Sequence, residues 1–191
     1  MGMFNSDAGY GALTKACHWL IAALFALQYA SAAVMLRTAG EGTTLGLGQG
    51  TWFNGHKSFG LVALAVTLLR LWNRRQGSLP PWAPTLTPLE QVMIHRGEQL
   101  LYAAMLVMPL SGFLYCMAGG YGVRLFGLWD LPAVIGTSAL VASIARTVHV
   151  VSALALLLPL GLHLGLVLAH QLHLGDGIVR RMLPGRRPPS P

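Results

Sequence analysis

The chain has 191 residues, of which 54% are hydrophobic and only 10% are charged, and its mean hydropathy is +0.57. Soluble domains are less apolar, so this composition predicts one all-α integral membrane domain over residues 1–191. The net charge of +7 comes from basic residues between apolar segments. Membrane topology explains that placement, and no nucleic-acid partner is expected. Cys17 and Cys116 are far apart in the sequence and lie in no CxxC or CxxCH motif, so no disulfide framework, zinc knuckle or covalently attached haem is implied.

The first apolar segment, Ala16–Leu36, contains no formal charge. It is long enough to span a bilayer, and we expect a transmembrane helix over about residues 13–36. A cleaved signal peptide is the alternative, because Lys15 precedes the segment and an Ala-Ser-Ala sequence at 30–32 resembles a cleavage site. The apolar length and His18 within the segment favour a retained helix.

The second segment is interrupted by charge, because the uncharged stretch between Lys57 and Arg70 is too short to span a bilayer. Trp52 and Trp72 bracket a window of sufficient length, however, and indoles favour the membrane interface. We therefore expect a second span over about residues 53–72, with both cations either reaching towards the interface or pairing with an anion within the protein.

Two loops flank this second span. Residues 37–50 are rich in glycine and threonine, and residues 74–87 contain three prolines that exclude a continuous helix. The next long stretch without formal charge lies between Glu98 and Arg124, which predicts a third span over about residues 97–118.

The longest uncharged segment lies between Arg146 and Asp176. It predicts a fourth span over about residues 146–171. The apolar stretch 131–145 before it is interpreted as a short interfacial helix or an extension of this span. Residues 176–191 form a basic, proline-rich tail expected to contact anionic lipid headgroups.

The distribution of Lys and Arg predicts the orientation of the four spans. Nine basic residues fall on the side of the termini, and four fall on the opposite side: Lys15, Arg70, Arg74, Arg75, Arg96, Arg180, Arg181, Arg186 and Arg187 against Arg37, Lys57, Arg124 and Arg146. Under the positive-inside rule, both termini of the predicted four-helix bundle are cytoplasmic.

Five histidines lie within the predicted spans, where a polar ring requires a partner or a function. His149 and His163 are separated by about four helical turns, which brings them to nearly the same face of one helix at an axial separation of about 21 Å. When the helices alternate in direction, His18 reaches the depth of His163 on the inner side. His56 reaches the depth of His149 on the outer side. Each pair would join two helices at one level, as cofactor sites in helical bundles do.

Two opposed imidazoles at each level indicate two bis-histidine haems, with His18 and His163 at the inner haem and His56 and His149 at the outer haem. A di-iron site would require carboxylates inside the spans, and zinc would require three or four ligands at one depth. Arg70 follows His56 at the same spacing that separates His149 from His163, and Arg146 lies one turn before His149. Each arginine is expected either to contact a haem propionate or to extend towards the interface.

The chain resembles the bacterial cytochrome b561 family, four-helix dihaem proteins of the inner membrane. The similarity covers nearly the whole chain and is carried by these segments, together with His149 and His163: CHWL (17–20), GHKSFGLVALAVTLLRLWNR (55–74), MPLSGFLY (108–115), LFGLWDLP (125–132) and LAHQLHLGDGIVRRMLP (168–184).

The resemblance implies axial ligation by His18, His56, His149 and His163, in agreement with the pairing by depth. It also implies transfer of single electrons between a periplasmic partner and a quinone, and some similar proteins oxidise superoxide and reduce ubiquinone. His95 and His170 are expected near the inner haem, where they would hydrogen-bond a quinone or, alternatively, only water and headgroups. The outer cations Lys57, Arg124 and Arg146 would attract an anion such as superoxide.

Two other functions are compatible with the sequence. The chain could be the haem-bearing membrane anchor of a larger oxidoreductase, with the chemistry on another subunit. It could also be a non-redox transporter whose histidines relay protons, in which case the purified protein would be colourless.

Overall fold

The computed structural model describes residues 2–38 and 42–184, and part of the predicted tail, residues 185–191, lies outside the described residues. Four long helices dominate it: α1 Ala12–Thr38, α2 Gln49–Arg74, α3 Pro88–Ala118 and α4 Ala139–Ala169. A π-helical turn, His170–Leu174, continues α4, and a short 3-10 helix, Ile178–Met182, follows.

Three of the described helical segments are long and apolar enough to cross a membrane: Ala12–Thr38, Pro88–Ala118 and Ala139–Leu174. The helix α2 is not among them, since polar side chains such as Asn54, His56 and Lys57 occupy its first part. On α4, Leu154, Leu158 and Leu162 follow one another at intervals of about one turn, and each is more than half exposed. This exposed apolar stripe is what a lipid-facing helix requires.

The ends of the helices follow local sequence signals. At the start of α3, Thr87 and Glu90 form a reciprocal capping box: the Glu90 N–H donates to Thr87 Oγ1 at 3.3 Å, and the Thr87 N–H donates to Glu90 Oε2 at 2.7 Å. Pro88 occupies the first helical position, where its missing N–H has no cost. The proline-rich segment 75–87 contains no helix, as its composition predicts.

Two short antiparallel hairpins, which the composition of the loops did not predict, occupy these segments. The strands β1 Thr43–Thr44 and β2 Leu47–Gly48 precede α2, and β3 Arg124–Leu125 pairs with β4 Trp129–Asp130 before α4. The segment 131–138 is not helical, whereas 139–145 extends the fourth helix, so the extension interpretation holds for the second half of 131–145.

The chain divides into two compact units, and the division cuts all four long helices. Unit 1 contains residues 1–20, 66–104 and 154–191, and unit 2 contains residues 21–65 and 105–153. Unit 1 therefore combines the first parts of α1 and α3 with the last parts of α2 and α4. Unit 2 combines the remaining parts, so consecutive helices alternate in direction within each unit.

Candidate functional site: two histidine pairs

In unit 2, the structure brings together His56 of α2 and His149 of α4. The centroids of the two imidazole rings are 6.2 Å apart, and the ring planes are inclined at 83°. The two residues are far apart in the chain, so only the packing of α2 against α4 creates the pair. We call it the second pair.

The hydrogen bonds of the second pair define which ring nitrogens carry protons. Ser31 donates its single hydroxyl proton to the Gln28 carbonyl at 2.9 Å, so its oxygen accepts from His56 Nδ1, also at 2.9 Å. His149 Nδ1 lies 2.7 Å from the Met108 carbonyl, which can only accept. A ring that carries its single proton on Nδ1 keeps a lone pair on Nε2 that is available for a metal.

Glycines make room around this pair. A Cβ at Gly112 would lie 2.8 Å from His149 Nδ1, closer than real Cβ contacts allow. A Cβ at Gly60 would lie 2.9 Å from Gln28 Nε2, the group that donates to the His56 carbonyl. The position of the His149 ring therefore depends on the absence of a side chain at Gly112.

In unit 1, His18 of α1 and His163 of α4 form the first pair. Their ring centroids are also 6.2 Å apart, with the planes inclined at 66°, and the Trp19 ring lies 5.4 Å from that of His18. On either side of His163, a Cβ at Gly161 or Gly165 would meet no atom within 4 Å. The backbone beside His163 thus faces open space.

The first pair differs from the second in its hydrogen-bonding partner. Arg70 donates from Nε to the Tyr102 hydroxyl at 2.9 Å, and its NH1 group lies 3.2 Å from His18 Nδ1. The guanidinium also lies 5.5 Å from the centre of the Tyr102 ring. Because a guanidinium has no acceptor, His18 Nδ1 is the acceptor in this contact. A second arginine, Arg74, forms an ion pair with Glu98 close by.

Arg146 lies one helical turn before His149, as predicted, and its side chain is exposed. It lines a cavity of about 530 Å³ in unit 2, together with Tyr115, Tyr121 and Ser143. Two other predicted outer cations have local partners. Lys57 Nζ donates to the Gly122 carbonyl at 3.0 Å, and Arg124 Nε lies 3.6 Å from Asp130 Oδ1.

His170 is almost completely buried, with 1% of its side chain exposed. Its Nδ1 lies 2.6 Å from Asp176 Oδ2, and its Nε2 lies 3.1 Å from Glu90 Oε1. Both nitrogens therefore face carboxylates, and a hydrogen bond to a quinone would have to replace one of them. His95 is exposed and lies beside Gln99, one turn further along α3, at 3.2 Å.

Asp176 closes this cluster from the loop after α4. Burial opposes ionisation of its carboxyl group, but hydrogen bonds from Thr85, His170 and the Ile178 N–H outweigh that effect and hold its pKa below the usual value. We call Glu90, His170 and Asp176 the carboxylate–histidine latch, because it ties α3, the end of α4 and the following loop together.

The sequence did not predict several of these contacts. The capping-box pattern at 87–90 marks Glu90 as the start of a helix but not as a partner of His170. Nothing in the sequence pairs Ser31 with His56 or Tyr102 with Arg70, since each contact joins different helices.

The donor set limits the kind of metal centre. Over residues 2–38 and 42–184, no three His, Cys, Asp or Glu side chains converge as ligands of one ion. Each pair offers two facing imidazoles, which suits a metal whose other ligands come from a cofactor, as iron in a porphyrin does. The site fits haem and does not fit a protein-only zinc centre.

Apolar spanning helices with two facing histidine pairs define the class as a helical membrane protein built for a metal-bearing cofactor. The sequence model described as prokaryotic cytochrome b561 matches residues 9–185, and the chain belongs to this family. It is therefore a multi-pass, b-type, haem-binding electron-transport protein of the bacterial inner membrane.

Two curated relatives match over almost their full lengths. Cytochrome b561 homolog 2 of Escherichia coli (strain K12) is 26% identical over 187 residues, covering 96% of this chain and 95% of the relative. Probable superoxide oxidase CybB of Yersinia pestis is 25% identical over 181 residues, covering 93% of this chain and 97% of the relative.

Proposed function

We propose that the protein holds two b-type haems and transfers single electrons between a donor on the periplasmic side and a quinone on the cytoplasmic side. His18 and His163 would bind the inner haem, and His56 and His149 the outer one. The observation that carries this proposal is the occurrence of two histidine pairs with the same 6.2 Å separation of ring centroids.

That separation leaves room for a metal between the rings. The imidazoles of each pair would hold it from the two sides. In the second pair, Ser31 and the Met108 carbonyl each engage Nδ1, so Nε2 of each ring is the nitrogen left for the metal. When bound, haem supplies the reversible one-electron chemistry, and the protein supplies ligation, orientation and exclusion of water.

Arg70 is proposed to contact a propionate of the inner haem. A neutral imidazole that binds iron through Nε2 carries its proton on Nδ1, so His18 could no longer accept from Arg70. The NH1 group would be released for a carboxylate, while the Nε contact with Tyr102 would keep the guanidinium in place. Arg146 is proposed to contact an anion at the outer site, either a propionate or an external ligand.

The quinone is proposed to bind on the side of the inner haem. In the latch, both ring nitrogens of His170 contact carboxylates, so His170 stabilises the end of α4. It could contact a quinone only after the quinone displaced one of these carboxylates. His95 is exposed and available as a second contact. The name of the Yersinia pestis relative supports superoxide as the donor, which would enter near the outer pair.

The experiment that tests the pairing compares double variants of the purified protein. The reduced wild type should show a b-type α-band and two haems per chain. A variant that loses both histidines of one pair, His18→Ala/His163→Ala, should keep one haem. A variant that loses one histidine of each pair, His18→Ala/His149→Ala, should keep none.

Circular dichroism and gel filtration must show that both variants remain folded. Equal haem content in the two folded double variants would refute the pairing. A folded wild type without haem absorption would refute the proposed function itself. Reduction by superoxide with accompanying reduction of a ubiquinone analogue would then establish donor and acceptor.

A further inference from the structure

The cavity beside Arg146 is built from three segments of unit 2. The last turn of α3 and the residues after it contribute Tyr115, Gly119 and Tyr121, the loop before α4 contributes Thr137, and the first turns of α4 contribute Ser143 and Arg146. It is open to the surface, with a volume of about 530 Å³, and Tyr121, Ser143 and Arg146 in its lining are exposed.

The lining has a definite chemical character. Arg146 is the only charged residue among the described residues that line the cavity, and none of these residues carries a carboxylate. Three hydroxyl-bearing residues, Tyr115, Tyr121 and Ser143, line the cavity, and the two tyrosine rings meet edge to face at 5.5 Å. Ser138 caps the start of α4, whose positive end adjoins the same space.

The two neighbouring cations, Lys57 and Arg124, do not line the cavity. Lys57 is held by the Gly122 carbonyl, and Arg124 pairs with Asp130 across the second hairpin. Among the described residues that were expected to attract anions on this side, Arg146 is the one that lines the cavity. The positive charge is therefore concentrated at one point of an otherwise neutral cavity.

The cavity adjoins the second pair through both helices. Arg146 lies three residues before His149 on α4, and Tyr115 lies three residues after Gly112 on α3, the glycine that makes room for the His149 ring. A molecule in the cavity would lie within about one helical turn of His149 along each helix.

We propose that this cavity binds a one-ring organic carboxylate, with its charge on Arg146 and its ring against Tyr115 and Tyr121. The guanidinium supplies the charge-assisted hydrogen bonds, the hydroxyl groups bind further oxygens, and the tyrosine rings provide flat walls. The position of this anion beside an outer haem rests on the proposed function, whereas its binding in the cavity does not.

The test measures binding of benzoate, as the probe, to the purified holoprotein by isothermal titration calorimetry at low ionic strength. Wild type should bind benzoate, and Arg146→Gln should bind it about tenfold more weakly or worse, as expected for loss of a charged hydrogen-bond partner. The matched control Arg124→Gln removes the same charge outside the cavity and should change affinity by less than about twofold. Benzamide, the neutral analogue, should bind to the wild type more weakly than benzoate does. Its affinity should be the same for Arg146→Gln and wild type.

Three results would overturn the proposal: no benzoate binding to wild type at millimolar concentrations, equal affinities in Arg146→Gln and wild type, or loss of benzoate binding when phosphatidylglycerol is added to the detergent. The last result would identify a lipid headgroup as the occupant. The haem spectrum is recorded on the same samples. Benzoate binding by a protein without haem would leave this inference standing and refute the proposed function.

Discussion

His149 Nδ1 lies 2.7 Å from the Met108 carbonyl, and one turn further along α3 a Cβ at Gly112 would lie 2.8 Å from the same nitrogen. The ring is thus held by a hydrogen bond and confined by the α3 backbone. Orientation of an axial ligand by its second nitrogen is a general feature of histidine metal sites, and its loss weakens binding.

Replacing Gly112 with alanine is expected to displace the His149 ring and remove the haem of the second pair, because the new methyl group would overlap the ring. Haem content, measured by the pyridine haemochrome assay, should fall from two towards one per chain. Gly97→Ala is the matched control on the same helix, since a Cβ there meets nothing within 4 Å. Two haems in a folded Gly112→Ala protein would contradict the assignment of His149.

Replacing Ser31 with alanine removes the acceptor of the His56 Nδ1 proton. We expect haem to dissociate from the second pair about 10- to 100-fold more readily, the range seen when outer contacts of metal ligands are removed. Transfer of haem to apomyoglobin measures this directly. Ser31→Thr keeps the hydroxyl group and should hold haem as tightly as the wild type. Equally fast loss of haem from both variants would show that packing, not the hydrogen bond, is responsible.

Replacing Arg70 with glutamine removes a positive charge beside the first pair. Reduction of haem adds negative charge, so the midpoint potential of the inner haem should fall, by on the order of 50 mV for a charge at this range. Redox titration followed at the α-band gives both potentials. Arg75→Gln, an exposed neighbour just after α2, should leave them unchanged. An equal shift of both haems in Arg70→Gln would argue against a local effect.

Replacing His170 with alanine leaves Asp176 and Glu90 without the ring between them. The two carboxylates would then lie near each other without the ring that bonds to both, so a decrease in thermal stability is expected. The melting temperature in detergent measures it, with haem content as a second readout. His173→Ala, at an exposed position of the same helix end, should be neutral. Unchanged stability of His170→Ala would show that the latch carries little energy.

The sequence by itself determined the membrane class and predicted the chemistry. Long uncharged segments predict membrane spans, and histidines within the spans predict metal ligation because unpartnered polar rings are costly there. The proline content also predicted the loop before α3, whereas the capping box that starts α3 was not anticipated. The spacing of about four turns between His149 and His163 placed one member of each pair on α4, which a regular helix makes predictable.

Tertiary structure decided the contacts between helices. The partners of Arg70, the acceptors for His56 and His149, and the two carboxylates around His170 all come from other elements of the fold. The hairpins before α2 and α4 were also missed, because each pairs only two residues per strand and has no run of alternating residues. Spacing along one helix fixes which residues share a face, but hydrogen-bond partners depend on how neighbouring helices pack, and periodicity contains no information about that packing.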